Sequence, residues 1–225
     1  MPTAHNNAST AGWRLVLASS SPYRRMLLQR LALDFDCLAP EIDESVRADE
    51  TPDNYVSRLA QAKARRVGEV IAQERYSDNK SCTESTSEPQ RTLIIGSDQA
   101  LVLDEQIMSK PGDHAAAVSM LQRCSGQTVT FNCGWSLLQL QKDNSMQALD
   151  AAVITTEVVF RQLTDSEILS YIEREPALDC AGAFKSEALG ISLFAALRSD
   201  DPTALIGLPL ISLCEGLRKA GLALP

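Results

Sequence analysis

Histidine and aromatic residues are scarce in this 225-residue chain, with two histidines and 5% aromatics. His5 falls in a polar leading segment, which leaves His114, so general acid–base chemistry is expected from carboxylates or lysines. Six cysteines (Cys37, Cys82, Cys124, Cys133, Cys180 and Cys214) form no Cys-x-x-Cys pair, and neither histidine is near one in sequence. A structural zinc site is therefore not expected, and reduced cysteines in a cytosolic protein are. No apolar run approaches the roughly 20 residues that span a bilayer. Basic residues are outnumbered 21 to 29, giving a net charge of −8. That balance argues against a nucleic-acid polymer or an anionic membrane as partner. The opening "MPTAHNNASTAG" has neither a basic n-region nor an apolar h-region. Residues 1–12 are expected to be a flexible extension on a cytoplasmic protein.

What is present reads as mixed α/β, one domain over 1–225 without internal repeats. "LVLA" (15–18) is a short buried strand, followed by Ser21 as N-cap and Pro22 at the first helical position. "FDCLAP" (35–40) suggests a second strand. A long helix is expected from Pro52, with Tyr55, Leu59, Ala62, Val67 and Val70 at helical spacing. "SDNKSCTESTSEPQ" (77–90) is polar and aperiodic, and is expected to be a disordered surface insertion. "TLIIG" (92–96) returns to a buried strand, and "LVL" and "IM" around Asp104-Glu105-Gln106 suggest a hairpin. Two long β-rich stretches, a helix capped by Thr164 with Glu167, and a last helix near Pro209 complete the pattern.

Four places can carry chemistry. "SSSPYRR" puts Arg24 and Arg25 in a first helical turn, against the macrodipole; either they are solvated or an anion sits there. Ser19 and Ser20 hydroxyls would complete a phosphate cradle. "PEIDES" gathers Glu41, Asp43 and Glu44, which form either an oxygen site for a hard cation or a solvated acidic loop. "LIIGSDQ" is read as a strand ending at Gly96 that delivers Asp98 and Gln99 to its carboxyl end, with Lys110 downstream in "SKP". "CAGAFKSEALGISLF" brackets Lys185, Ser186 and Glu187 between Gly182 and Gly190, as a ligand-facing loop or a surface connection. Lys63 sits four residues from both Leu59 and Val67, on the apolar stripe of its helix. It either snorkels at the rim or aims its ammonium into a cleft.

Together, "LASSSPYRRMLL", "PEIDES", "RLAQAKA", "IIGSDQ", "KP", "SGQTVTFNCG", "CAGAFKSEALGISLF" and "GLPLISL" resemble the Maf family of nucleotide pyrophosphatases, over Leu15 to Gly221. The resemblance implies an inosine-triphosphatase-like fold: an elongated mixed β-sheet flanked by helices, with a deep cleft between two lobes. It implies hydrolysis of a nucleoside triphosphate to the monophosphate and diphosphate with a divalent cation, Mg2+ or Mn2+, and a homodimer. Ser19 and Arg24 match phosphate-binding positions. Lys63 and Lys110 match phosphate-contacting catalytic ones. Glu44 and Asp98 match the metal-linked acids, with Asp98 as proton acceptor. Tyr23, Gln99 and Glu187 match specificity positions, and Gln99 with "FKSE" resembles the branch that prefers 7-methyl-GTP. The alternatives are the dTTP/UTP branch, or a nucleotide-binding regulator of cell division with weak hydrolysis. Two departures stand out: Tyr23 where that branch often has tryptophan, and Ser109 where glycine is usual before Lys-Pro.

Overall fold

A computed structural model describes residues 12–81, 91–108 and 110–225. In chain order the elements are β1 (Trp13–Ala18), α1 (Pro22–Gln29), β2 (Asp36–Leu38), α2 (Pro52–Ser81), β3 (Arg91–Leu103), β4 (Gln106–Met108) and α3 (His114–Cys124). They continue with β5 (Thr128–Leu140), β6 (Met146–Phe160), α4 (Asp165–Arg174), β7 (Phe194–Ser199) and α5 (Leu210–Lys219). The expected extension at 1–12 lies outside the described residues except for Gly12, and so does Ser109.

The period-2 alternation of β1 builds the layers. Leu15 and Leu17 pack with Leu27 and Leu28 of α1 and Leu213 and Leu217 of α5. Val16 and Ala18 turn to the opposite face and meet Ala64, Val67 and Ile71 of α2. Helices thus cover both sides of the sheet, and each fully buried Leu contributes about 1.5–3 kcal/mol. The sheet has seven strands in the order β2-β1-β3-β5-β6-β7, with β4 also paired to β3. β1 is parallel to β2 and β3, and the remaining pairings are antiparallel, so the sheet is mixed. A third cluster, around Phe131, Phe160, Phe184 and Phe194 in edge-to-face contact, fills the other end of the long strands. Among the described residues no helix is long and apolar enough to cross a membrane.

Three expectations need correction. β3 does not stop at Gly96. It runs through Asp98 and Gln99 because β5 pairs with it without interruption, Gly96 opposite Ser136 and Asp98 opposite Gly134. On the other edge of β3, β1 pairs only as far as Gly96 and β4 starts only at Leu101. Residues 97–100 therefore have no strand on that side, and the cleft opens there, in mid-strand. The second correction concerns 77–90. α2 continues to Ser81, since residues 77–81 contain no proline or glycine and each added residue gains a hydrogen bond. Residues 82–90 lie outside the described residues.

The α2 stripe is also rotated from the expected one. Val56, Leu59, Ala60, Lys63, Ala64, Val67 and Ile71 are buried, whereas Tyr55, Ala62 and Val70 are only partly so. Glycines in the sheet allow this close seat. A Cβ on Gly96 would lie 2.0 Å from Ala60 O, and one on Gly134 would lie 2.6 Å from Val56 O. The helix can therefore lie almost on the strands, which puts Lys63 beside Asp98.

Candidate active site

Asp98 is a buried carboxylate on the unpaired stretch of β3. Its Oδ1 accepts from Lys63 Nζ at 2.8 Å and from Arg24 Nη2 at 3.4 Å. Lys63 Nζ also meets Glu44 Oε1 at 2.7 Å. Glu44, Lys63, Asp98 and Arg24 form a chain of alternating charge, contributed by a loop, α2, β3 and α1. Burying Lys63 and Asp98 is costly unless both are paired, and here both are, with Glu44 reaching in from an exposed loop.

Every member of the chain is fixed by a second contact. Arg24 sits in the first turn of α1, where Ser21 caps the helix by accepting from Arg24 N. Its Nε donates to Gly207 O at 2.9 Å. The conflict between a cation and the helix N-terminus is thus offset by Asp98 and a carbonyl. Arg25, by contrast, is exposed. Glu44 is held by its loop. Tyr55 Oη donates to Glu44 O at 2.9 Å, and Arg58 donates to Ser45 O at 3.0 Å and to both oxygens of Glu50 at 2.6 and 2.7 Å. The Arg58 contacts bring the Glu50 carboxyl down to about 2. The Tyr55 phenol is pushed up, first by burial and then by the charges of Asp98 and Glu44.

The loop between β7 and α5 presents Leu205 O and Gly207 O to the cleft. Gln99 Nε2 donates to Leu205 O at 2.7 Å, and Ser97 Oγ donates to Gly207 O or Gly134 O, each 2.9 Å away. Asp201 ties this loop together. Its carboxylate accepts from Thr203 N and Oγ1, and from Ile211 N and Ser212 N at the start of α5. Pro209 at the N-cap offers no capping side chain, so Asp201 caps the helix from a distance.

A cleft of about 580 Å3 collects Ser19, Tyr23, Arg24, Glu44, Lys63, Asp98, Gln99, Lys110 and Glu187, the nine side chains to which the resemblance assigns a role. That volume suits a nucleotide-sized ligand. Ser19 Oγ accepts from Ser21 N at 3.1 Å, so the serine turn curls around its own hydroxyl. Lys110 lines the cleft without an ion pair among the described residues. Of the acidic loop only Glu44 reaches it; Asp43 instead accepts from Ser45 N. Sequence reasoning gave no role to Tyr55, Arg58, Cys180 or Asp201, although Arg58 opens "RLAQAKA" and Cys180 opens "CAGAFKSEALGISLF". For Asp201 no signal short of the fold could have served.

At the far end of the cleft stand Tyr23, Asp179, Cys180, Lys185 and Glu187. Lys185 Nζ lies 5.7 Å from the centroid of the Tyr23 ring. Burial raises the Tyr23 phenol, partly opposed by Lys185. Burial, with the Asp179 charge, pushes the Cys180 thiol up to about 11, so it stays protonated at neutral pH.

For a metal, Glu44 and Asp98 are the carboxylates that meet, on opposite sides of one ammonium. Among the described residues no three His, Cys, Asp or Glu side chains form a cage. Two carboxylates suit a hard cation that takes its remaining ligands from substrate phosphate and water.

The family model of Maf-like proteins matches residues 14–220. A 7-methyl-GTP pyrophosphatase of Xanthomonas axonopodis pv. citri is 48% identical over 94% of this chain and 99% of its own. One of Nitrosococcus oceani is 44% identical over 96% of this chain and 98% of its own. One of Albidiferax ferrireducens is 42% identical over 93% and 94%.

Proposed function

As this chain belongs to the family of Maf-like proteins, we propose that it is a nucleotide pyrophosphatase that hydrolyses 7-methyl-GTP to 7-methyl-GMP and diphosphate. The observation that carries this reading is the identity of 42–48%, over nearly full length, to relatives named 7-methyl-GTP pyrophosphatase. The cleft supports it with a carboxylate and several cations on one floor. A free nucleotide as substrate also agrees with the cytoplasmic location expected from sequence.

Phosphoryl chemistry asks mainly for positioning and charge neutralisation. Arg24, Lys63 and Lys110 neutralise the triphosphate, and the Ser19 hydroxyl with the first N–H groups of α1 binds a phosphate oxygen. Asp98 orients a water for in-line attack on the α-phosphorus and accepts its proton, and diphosphate leaves. Substrate phosphate draws Lys63 and Arg24 from Asp98, which frees Oδ1 for that work. Glu44 and Asp98 would hold the divalent cation, which when bound offsets charge on the phosphate oxygens. Glu187 accepts hydrogen bonds from the guanine edge. Gln99, next to Asp98 and held by Leu205 O, offers its amide to the base.

The test is initial-rate hydrolysis of 7-methyl-GTP, GTP, UTP, dTTP and CTP with Mg2+ or Mn2+. The highest kcat/KM is expected for 7-methyl-GTP, and Glu187→Ala should raise its KM more than that for UTP. A higher kcat/KM for UTP or dTTP would overturn the substrate and leave the pyrophosphatase reading intact. No diphosphate release from any nucleotide would overturn both.

A further inference from the structure

Tyr23, which matches a specificity position, offers an aromatic face to a base in the cleft, and that face already carries a cation. Lys185 Nζ stands 5.7 Å from the Tyr23 centroid, within the range of an attractive cation–π contact. The backbone that carries this lysine is built rather than loose. Lys185 N donates to Tyr171 Oη at 3.2 Å, and Ala188 N donates back to Lys185 O at 3.2 Å. Gly190 closes against it so tightly that a Cβ there would lie 2.5 Å from Lys185 O. Gly190 N and Tyr171 Oη in turn donate to Glu175 Oε2 at 3.0 and 3.1 Å. The ammonium is therefore presented to the ring by a hydrogen-bonded loop.

We propose, resting on the 7-methyl-GTP reading, that Lys185 determines specificity by occupying the Tyr23 face as a stand-in cation. A base that stacks there must first displace a positive charge from the ring. A neutral guanine or pyrimidine does so at the cost of the cation–π attraction and returns only stacking. 7-Methylguanine carries its own positive charge and restores what the ammonium gave up. The carboxylate of Asp179 lines the same cleft and receives the displaced ammonium, while Glu187 is taken up by the base. The filter works by exchange: like replaces like, and neutral bases are penalised. No bond is made or broken, and the effect falls on binding rather than on the phosphoryl step.

The experiment compares kcat/KM for 7-methyl-GTP and GTP in wild type, Lys185→Met and Lys185→Arg, and repeats the methionine substitution in a Tyr23→Leu background. Lys185→Met should lower the 7-methyl-GTP to GTP ratio about two- to fivefold, the size of one half-exposed cation–π contact. The change should come through KM for GTP. Lys185→Arg keeps a cation on the ring and should keep the ratio. In Tyr23→Leu the methionine substitution should no longer move it. A ratio within twofold of wild type in Lys185→Met, or one that rises, overturns the exchange while leaving the substrate reading standing. Wild-type enzyme inert toward 7-methyl-GTP overturns both.

Discussion

At the Asp98 end of the cleft Lys63 and Asp98 are buried and Arg24 and Gln99 half-buried, and each of the four is held by a polar contact, to a backbone carbonyl for Arg24 and Gln99. At the Tyr23 end the side chains are half-exposed and hang from a loop of 3-10 turns, and Glu187 is exposed. The first arrangement is largely preorganised: its backbone carriers are fixed, and only the Lys63 and Arg24 side-chain ends have to shift from Asp98 to phosphate. The second can change its side chains without disturbing the sheet, which is how one scaffold can keep its chemistry and vary its base. The difference follows from what each end rests on. Asp98 and Lys63 come from a central strand and the helix seated on it through Gly96, whereas Lys185 and Glu187 come from a connection between α4 and β7.

The largest effect expected from breaking the buried end is at its carboxylate. Asp98→Asn keeps size but removes the charge that accepts a proton and balances Lys63 and Arg24. Loss of general-base action alone is worth about 10²–10⁴-fold in kcat. Steady-state kinetics at saturating metal checks this, and more than a tenth of wild-type rate would remove the role.

A smaller loss is expected one layer back. Asp201 accepts four donors, so Asp201→Asn sets an NH2 group against donors it cannot satisfy. The loop that presents Leu205 O and Gly207 O should loosen, and Arg24 and Gln99 with it. Since a displacement of 1 Å can cost about 10²-fold, a partial one should lower kcat about tenfold. The assay belongs well below the variant's melting temperature, where loss of fold is not the cause. A variant with a lowered Tm and unaltered kcat would show that Asp201 serves α5 alone.

The smallest effect sharpens the comparison through pH. Glu50, which anchors the Glu44 loop, is held by Arg58 at about 2, below its ordinary 4.5. A carboxyl lowered on folding contributes stability that is present above its unfolded value and is lost as pH falls through its folded one. The Tm gap between wild type and Arg58→Met should thus be full above pH 4.5 and close between 4.5 and about 2. A gap that stays constant across that window would assign the contribution of Arg58 to packing.

Sequence alone determined the elements that depend on neighbours a few residues apart. Ser21 and Pro22 start α1 and the Thr164–Glu167 capping box starts α4, as their local hydrogen bonding demands. The resemblance to the Maf family, rather than any local reading, supplied the nine side chains that meet in the cleft; taken singly, their motifs left a solvated alternative open. Periodicity misplaced the α2 stripe by about one residue, since which face of a helix is buried depends on what it lies against. The strand through Asp98 was cut at Gly96 because glycine punctuates a local reading, while in the fold it admits the backbone of Ala60. Only the tertiary structure decided that Lys63 turns inward, that Arg24 and not Arg25 faces Asp98, and that Asp201 steadies a loop used by residues about a hundred positions away. Those choices depend on long-range pairing and burial, and no window of the sequence contains both partners.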